Sequence, residues 1–167
     1  MTSDESEAPQ PTLPSVRIAS TEDVERLTRL INAAFVVEQI AIPGDRIDCD
    51  GVRKYMRSGE FLVLENSSAI LACVYFEKRG EHGYLGLLSV APSLQRRGLG
   101  RELALEVEKH IRAKGCVAMD LRIISARPEL LSFYEKLGYR VSGTSPMPPE
   151  TPLKIPCHFI HLSKPLD

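Results

Sequence analysis

The stretch Leu88-Ser-Val-Ala-Pro-Ser-Leu-Gln-Arg-Arg-Gly-Leu-Gly-Arg101 decides how this chain is read. It opens inside an apolar run, Gly83 to Val90, that reads as a strand, and Pro92 cannot continue a ladder. Gln95-Arg96-Arg97-Gly98-Leu99-Gly100 comes next, and a helix to about Lys114 starts at once, with Leu99, Leu103, Val107 and Ile111 on one face. At such a junction the N–H groups of the first helical turn lack partners, and with the helix dipole they attract an anion, most often a phosphate. Gly98 and Gly100 let a ligand approach the main chain. Arg96, Arg97 and Arg101 add positive charge where a pyrophosphate would lie. Two other phosphate loops fail here. A dinucleotide fingerprint would need Gly at Leu103, and no Gly-Lys-Ser/Thr of a Walker A loop is present.

Working outward, a strand is expected at Ser15–Ala19 and a capping box at Ser20–Asp23. A helix to about Val37 follows, with Val24, Leu27, Leu30, Ile31, Ala34 and Phe35 inward. Glu38 to Ile47 lacks helical spacing and contains the turn Pro43-Gly44-Asp45. Asp48 or Asp50 caps a second helix that Gly59 ends, and Phe61–Glu65 with Ile70–Lys78 form a hairpin. Downstream, Cys116–Ile124 reads as a buried strand and Pro128 as the first turn of a helix carrying Leu130, Phe133, Tyr134 and Leu137. Two last strands are expected at Tyr139–Gly143 and Ile155–Leu162, with a Pro-rich loop, Thr144–Pro152, between them. The order implies a mixed α/β fold, a central mixed sheet flanked by helices. The domain spans residues 14–167 and follows a disordered polar tail at 1–13.

The segment 88–100 resembles the acetyl-CoA signature of the GNAT superfamily of N-acetyltransferases. Phe133-Tyr-Glu-Lys-Leu-Gly-Tyr139 resembles its second signature. The resemblance extends from about Val16 to Lys164 and implies the GNAT fold, in which the central strand and the Cys116–Ile124 strand run parallel and splay apart. It implies an acetyl-CoA-dependent N-acetyltransferase acting on a primary amine by direct attack in a ternary complex. The pantetheine arm would pair with the backbone of Leu88 and Val90, with Ser89 between them. The pyrophosphate would be held by Gln95, Arg96, Arg97, Gly98, Leu99, Gly100 and Arg101. The Val90 N–H would serve as oxyanion donor, and Tyr134 would contact the cofactor and act as general acid at the sulfur. Arg127 stands where many relatives carry an Asn on the pantetheine arm, so it faces the cofactor, the acceptor or solvent. No acid occurs between Gly83 and Val90, so the base is sought at Glu38, His158, His161 or water, with Glu38 favoured. An acidic groove near Glu38, Asp45 and Asp48 would suit a cationic substrate, small or peptide.

Composition is consistent with this. The 167 residues carry a net charge of −1, which argues against a nucleic-acid partner. Cys49, Cys73, Cys116 and Cys157 show no metal-ligand spacing, so no metal is expected. No apolar run approaches a membrane span, and the polar, acidic start is unlike an export signal, so a cytoplasmic protein without a membrane partner is expected. The expected partner is a small-molecule amine, and the chain is expected as monomer or homodimer. Two other readings stay open: a CoA-binding sensor without turnover, and a transferase acting on a protein or peptide.

Overall fold

The computed structural model describes residues 14–167. The tail expected at 1–13 lies outside them. Seven strands form one sheet: β1 Ser15–Ile18, β2 Glu60–Glu65, β3 Ile70–Arg79, β4 His82–Val90, β5 Ala118–Ile124, β6 Arg140–Pro146 and β7 His158–Pro165. The order across the sheet is β1-β2-β3-β4-β5-β7-β6. All neighbours are antiparallel except β4 and β5. Four α-helices cover the sheet: α1 Val24–Ala34, α2 Cys49–Ser58, α3 Leu99–Ala113 and α4 Pro128–Lys136.

Both faces of the sheet are buried. Leu103, Val107 and Ile111 of α3 pack with Leu62, Phe76 and Leu85 on one face, together with Tyr134 of α4. Leu27 and Ile31 of α1 and Val52 of α2 pack with Phe61, Val63 and Tyr75 on the other. Each fully buried aliphatic side chain contributes about 2 kcal/mol relative to exposure. Asp23 fixes the entry to α1. It is buried, takes two hydrogen bonds from Arg17 of β1 (2.8 and 2.9 Å) and one from the Ser20 N–H (2.8 Å), and also pairs with Arg26. Arg17 in turn holds Glu65 of β2 (2.6 Å).

Three expectations at the element level are corrected. Glu38 does not lie in an irregular loop, because α1 tightens into a 3-10 turn, Phe35–Ile40. The sixth strand runs through Pro146 rather than stopping at Gly143. This is tolerated because β6 is an edge strand, where a missing N–H costs no ladder bond. The seventh begins at His158 rather than Ile155; Pro156 lacks the donor that an earlier start would require.

Candidate active site

The site exists because β4 and β5 pair only briefly. Their parallel register covers His82–Tyr84 against Ala118–Asp120 and then ends. Two features of β4 accompany the separation. Tyr75 pairs with Gly86 and Cys73 with Ser89, so Leu87 and Leu88 together oppose Val74. That is a β-bulge, and Leu87 occupies it at φ 51°, a strained value for a residue with a Cβ. The extra residue resets the alternation. Tyr84 and Leu87 pack on the α1/α2 face, while Leu85, Leu88 and Val90 pack on the α3/α4 face. The Ala91 N–H donates to Leu71 of β3 at 2.9 Å. Strand alternation therefore turns the N–H of Val90 away from β3, toward the gap left by β5.

The gap is a cleft of about 960 Å³. One end is the loop before α3. Arg96 (φ 65°) and Gly98 (φ 84°) are both left-handed, which curls successive N–H groups into a concave anion nest. Gly98 is the N-cap of α3 and supplies no side-chain cap, so the first-turn N–H groups remain available. The Gln95 side chain donates to the Val90 carbonyl at 3.1 Å and ties the loop to the strand. A Cβ on Gly100 would meet Leu88, Val90 and Phe133 at 3.6 to 3.7 Å, so the helix start sits directly over the end of β4. Leu88, Val90, Gln95, Arg96, Gly98, Leu99, Gly100 and Arg101 all line the cleft. Ser89 and Arg97 do not. Ser89 is buried outside the cleft, its hydroxyl on the Leu87 carbonyl (2.9 Å), and Arg97 is exposed outside it.

Tyr134 enters from α4. It is buried, packs edge-on against Phe133 and Tyr139, and burial raises its phenol above the usual tyrosine range. It therefore stays protonated at neutral pH, the state an acid requires. At the opposite end Glu38 and Arg127, unrelated in sequence, form an ion pair of 3.0 Å, both largely buried. Arg127 also holds Glu129 at 3.0 Å. Burial raises the Glu38 carboxyl, and the hydrogen bond and charge of Arg127 oppose the rise. Thus Arg127 is a partner of Glu38 rather than a solvent-facing residue. Neither His158 nor His161 lines the cleft; His161 bonds the Ser145 hydroxyl at 2.7 Å, and Phe159 takes the cleft position on β7. Of the acids expected to form a groove, Glu38 and Asp45 line the cleft and Asp48 does not. Asp48 caps α2 through the Gly51 N–H (2.7 Å), and Glu38 is neutralised by Arg127.

The acetyltransferase (GNAT) family model matches residues 24–139, which contain the bulged strand, the nest and Tyr134. The chain belongs to this family. An acetyltransferase of Yersinia enterocolitica is 32% identical over 84 residues, 50% of this chain and 60% of that protein. An acetyltransferase of Yersinia pestis is 27% identical over 130 residues, 77% of this chain and 89% of that one. A Salmonella typhimurium protein described as an acetyltransferase with its cofactor acetyl-CoA shares the fold at TM-score 0.73 and 21% identity, covering 93% of this chain and 95% of that one. The GNAT chain is accordingly an acyltransferase of a family that uses acetyl-CoA. No helix among the described residues is long and apolar enough to cross a membrane.

Sequence reasoning missed several residues of the GNAT cleft away from the Arg96–Gly98 loop: Phe35, Arg46, Tyr84, Arg122 and Phe159. Arg122 carried a signal, as a charge set between Leu121 and Ile123 in an otherwise apolar strand. The others are ordinary in sequence and acquire meaning only by position.

Proposed function

We propose that this chain transfers an acetyl group from acetyl-CoA to the primary amine of a small molecule, by direct attack in a ternary complex. One observation carries the reading: the Val90 N–H turns into a cleft that runs unbroken from the anion nest at Arg96–Gly98 to Glu38. The nest and the open first turn of α3 suit a pyrophosphate, with Arg96 and Arg101 at the rim. Leu88 and Val90 would receive the pantetheine amides by strand addition. Bound there, acetyl-CoA supplies an activated acyl carbon and a thiolate leaving group.

The chain's own groups then have separate tasks. Glu38 accepts a proton from the incoming ammonium, giving the neutral amine that attack requires. The Val90 N–H donates to the oxygen on which negative charge develops. Tyr134 gives its proton to the departing sulfur and is restored by the second proton that the acylated nitrogen sheds, while Glu38 releases the first proton to solvent. Arg127 orients Glu38 and opposes the rise that burial imposes on its carboxyl. A peptide acceptor is the second reading, because Val36 and Ile40, 54% and 62% exposed, sit on the same turn as Glu38.

The deciding experiment measures thiol release from acetyl-CoA across small amines, amino acids and peptides, with CoA affinity measured by calorimetry on the same sample. Micromolar CoA binding and thiol release with a small amine are expected. Release only with peptides would replace the small-molecule acceptor. Tight CoA binding without release from any acceptor would make the chain a CoA-binding sensor.

A further inference from the structure

The acceptor half of the cleft contains two arginines with no acidic partner among the described residues. Arg122 stands on β5 just past the point where β4 leaves it, on the same sheet face as Tyr84. Its side chain alternates with Leu121 and Ile123, which point into the opposite core. The guanidinium lies 4.1 Å from the centre of the Phe159 ring. An aromatic face holds the plane of a guanidinium while leaving its N–H edge free to form a fork. Arg46 approaches from the segment before α2, 5.6 Å from the Phe35 ring, and Arg127 flanks that same ring at 5.9 Å. Burial raises the Tyr84 phenol, and the charges of Arg122 and Arg46 both oppose the rise, so both guanidinium groups lie within electrostatic reach of its hydroxyl.

In this half of the cleft Arg46, Arg122 and Arg127 stand against Glu38, Asp45 and Glu129, but they are not paired one to one. Arg127 is committed to Glu38 and Glu129. That leaves Arg46 and Arg122 in the cleft with only Asp45, which forms no ion pair with either. A purely cationic acceptor would meet two guanidinium groups without an ion-pair partner on its way to Glu38. An acceptor with its own anion would neutralise them.

We propose that the acceptor carries a carboxylate as well as its amine, held by Arg122 with Arg46 beside it, which makes the substrate an amino acid rather than a simple amine or polyamine. This rests on the acyl-transfer reading above. The carboxylate takes paired N–H donors from the stacked Arg122, and the amine at the other end lies toward Glu38 and the Val90 N–H. Specificity follows from what a decarboxylated analogue leaves behind, the N–H edge of the stacked Arg122 without a partner.

The test uses matched trios: an amino acid, its amide and its decarboxylated amine, assayed for thiol release at saturating acetyl-CoA. A phosphate-bearing amine is included to separate a carboxylate site from a general anion site. The acid is expected to exceed both analogues in kcat/KM by about 30-fold or more, mainly through KM. Arg122→Gln should compress that ratio to within about threefold. Calorimetric titration of the same acid into CoA-loaded protein reads the anion site without turnover, and Arg122→Gln should weaken it by a similar factor. Equal use of acid, amide and amine would overturn the carboxylate assignment and leave acyl transfer standing. So would an unchanged ratio in Arg122→Gln, or a preference for the phosphate-bearing amine. Acid binding that depends on Arg122 with no thiol release would overturn acyl transfer and keep the carboxylate site. Neither binding nor release would overturn both.

Discussion

Tyr134 and Glu38 illustrate how burial sets the chemistry of single residues. Both are shielded from water, and both are raised by it, but with opposite consequences for readiness. A raised phenol remains a proton donor, whereas a raised carboxyl loses the ionised form a base needs. Arg127 offsets part of the second problem, since its hydrogen bond and charge oppose the rise. Tyr134→Phe is expected to lower kcat by about 10²-fold or less while CoA affinity in calorimetry stays near wild type. An unchanged kcat would remove Tyr134 from proton transfer. Arg127→Gln removes the cation that holds the Glu38 carboxyl down, so the Glu38 pKa rises further. The acid limb of the kcat/KM profile depends on ionised Glu38 and should move to higher pH. A limb that stays in place would mean that another group, or water, acts as base.

At the scale of elements, local sequence rules and tertiary pairings divide the work. A cap for α2 at Asp48 or Asp50 and a glycine turn into α3 at Gly98 were readable because each depends on neighbours a few residues away; the structure selects Asp48 and places Gly98 in the left-handed region. The anchor of α1 was half readable. The Ser20–Asp23 box is local, but the Arg17 and Glu65 partners come from β1 and β2. Arg17 holds Asp23 well below the usual carboxylate range. A depressed folded-state pKa contributes stability above the unfolded value, near 3.9, and loses it as pH falls below that. Asp23→Asn should therefore cost about 2 kcal/mol in urea unfolding at pH 7, with the deficit shrinking as pH drops below about 4. A deficit of equal size at pH 3 would show that packing, not the ion pair, sets the cost.

Across the whole molecule, α3 is joined to the far side of the sheet by an ion pair inside the core. Glu108 of α3 is 1% exposed and meets Lys164 of β7 at 2.6 Å. A single charge left in that position has no water to turn to. Lys164→Met should destabilise the fold by about 3 kcal/mol, and Lys164→Met with Glu108→Leu should recover most of the loss in the same unfolding measurement. No recovery would mean that Lys164 acts through packing over the Tyr139 ring, 5.7 Å away, rather than through its charge.

By itself the sequence determined the order of strands and helices, the anion nest between β4 and α3, and the positions of Val90 and Tyr134. These rest on short-range physics: hydrophobic period, glycine backbone freedom, proline's missing donor and a family signature confined to a few contiguous residues. Only the tertiary structure decided that Glu38 pairs with Arg127 across 89 positions of chain, that Ser89 is buried outside the cleft, and that Arg46 and Arg122 meet in one cleft. The reason is physical. A bulge at Leu87 and the early end of the β4–β5 ladder set which faces look into the cleft, and charges distant in sequence become neighbours only once that gap has opened.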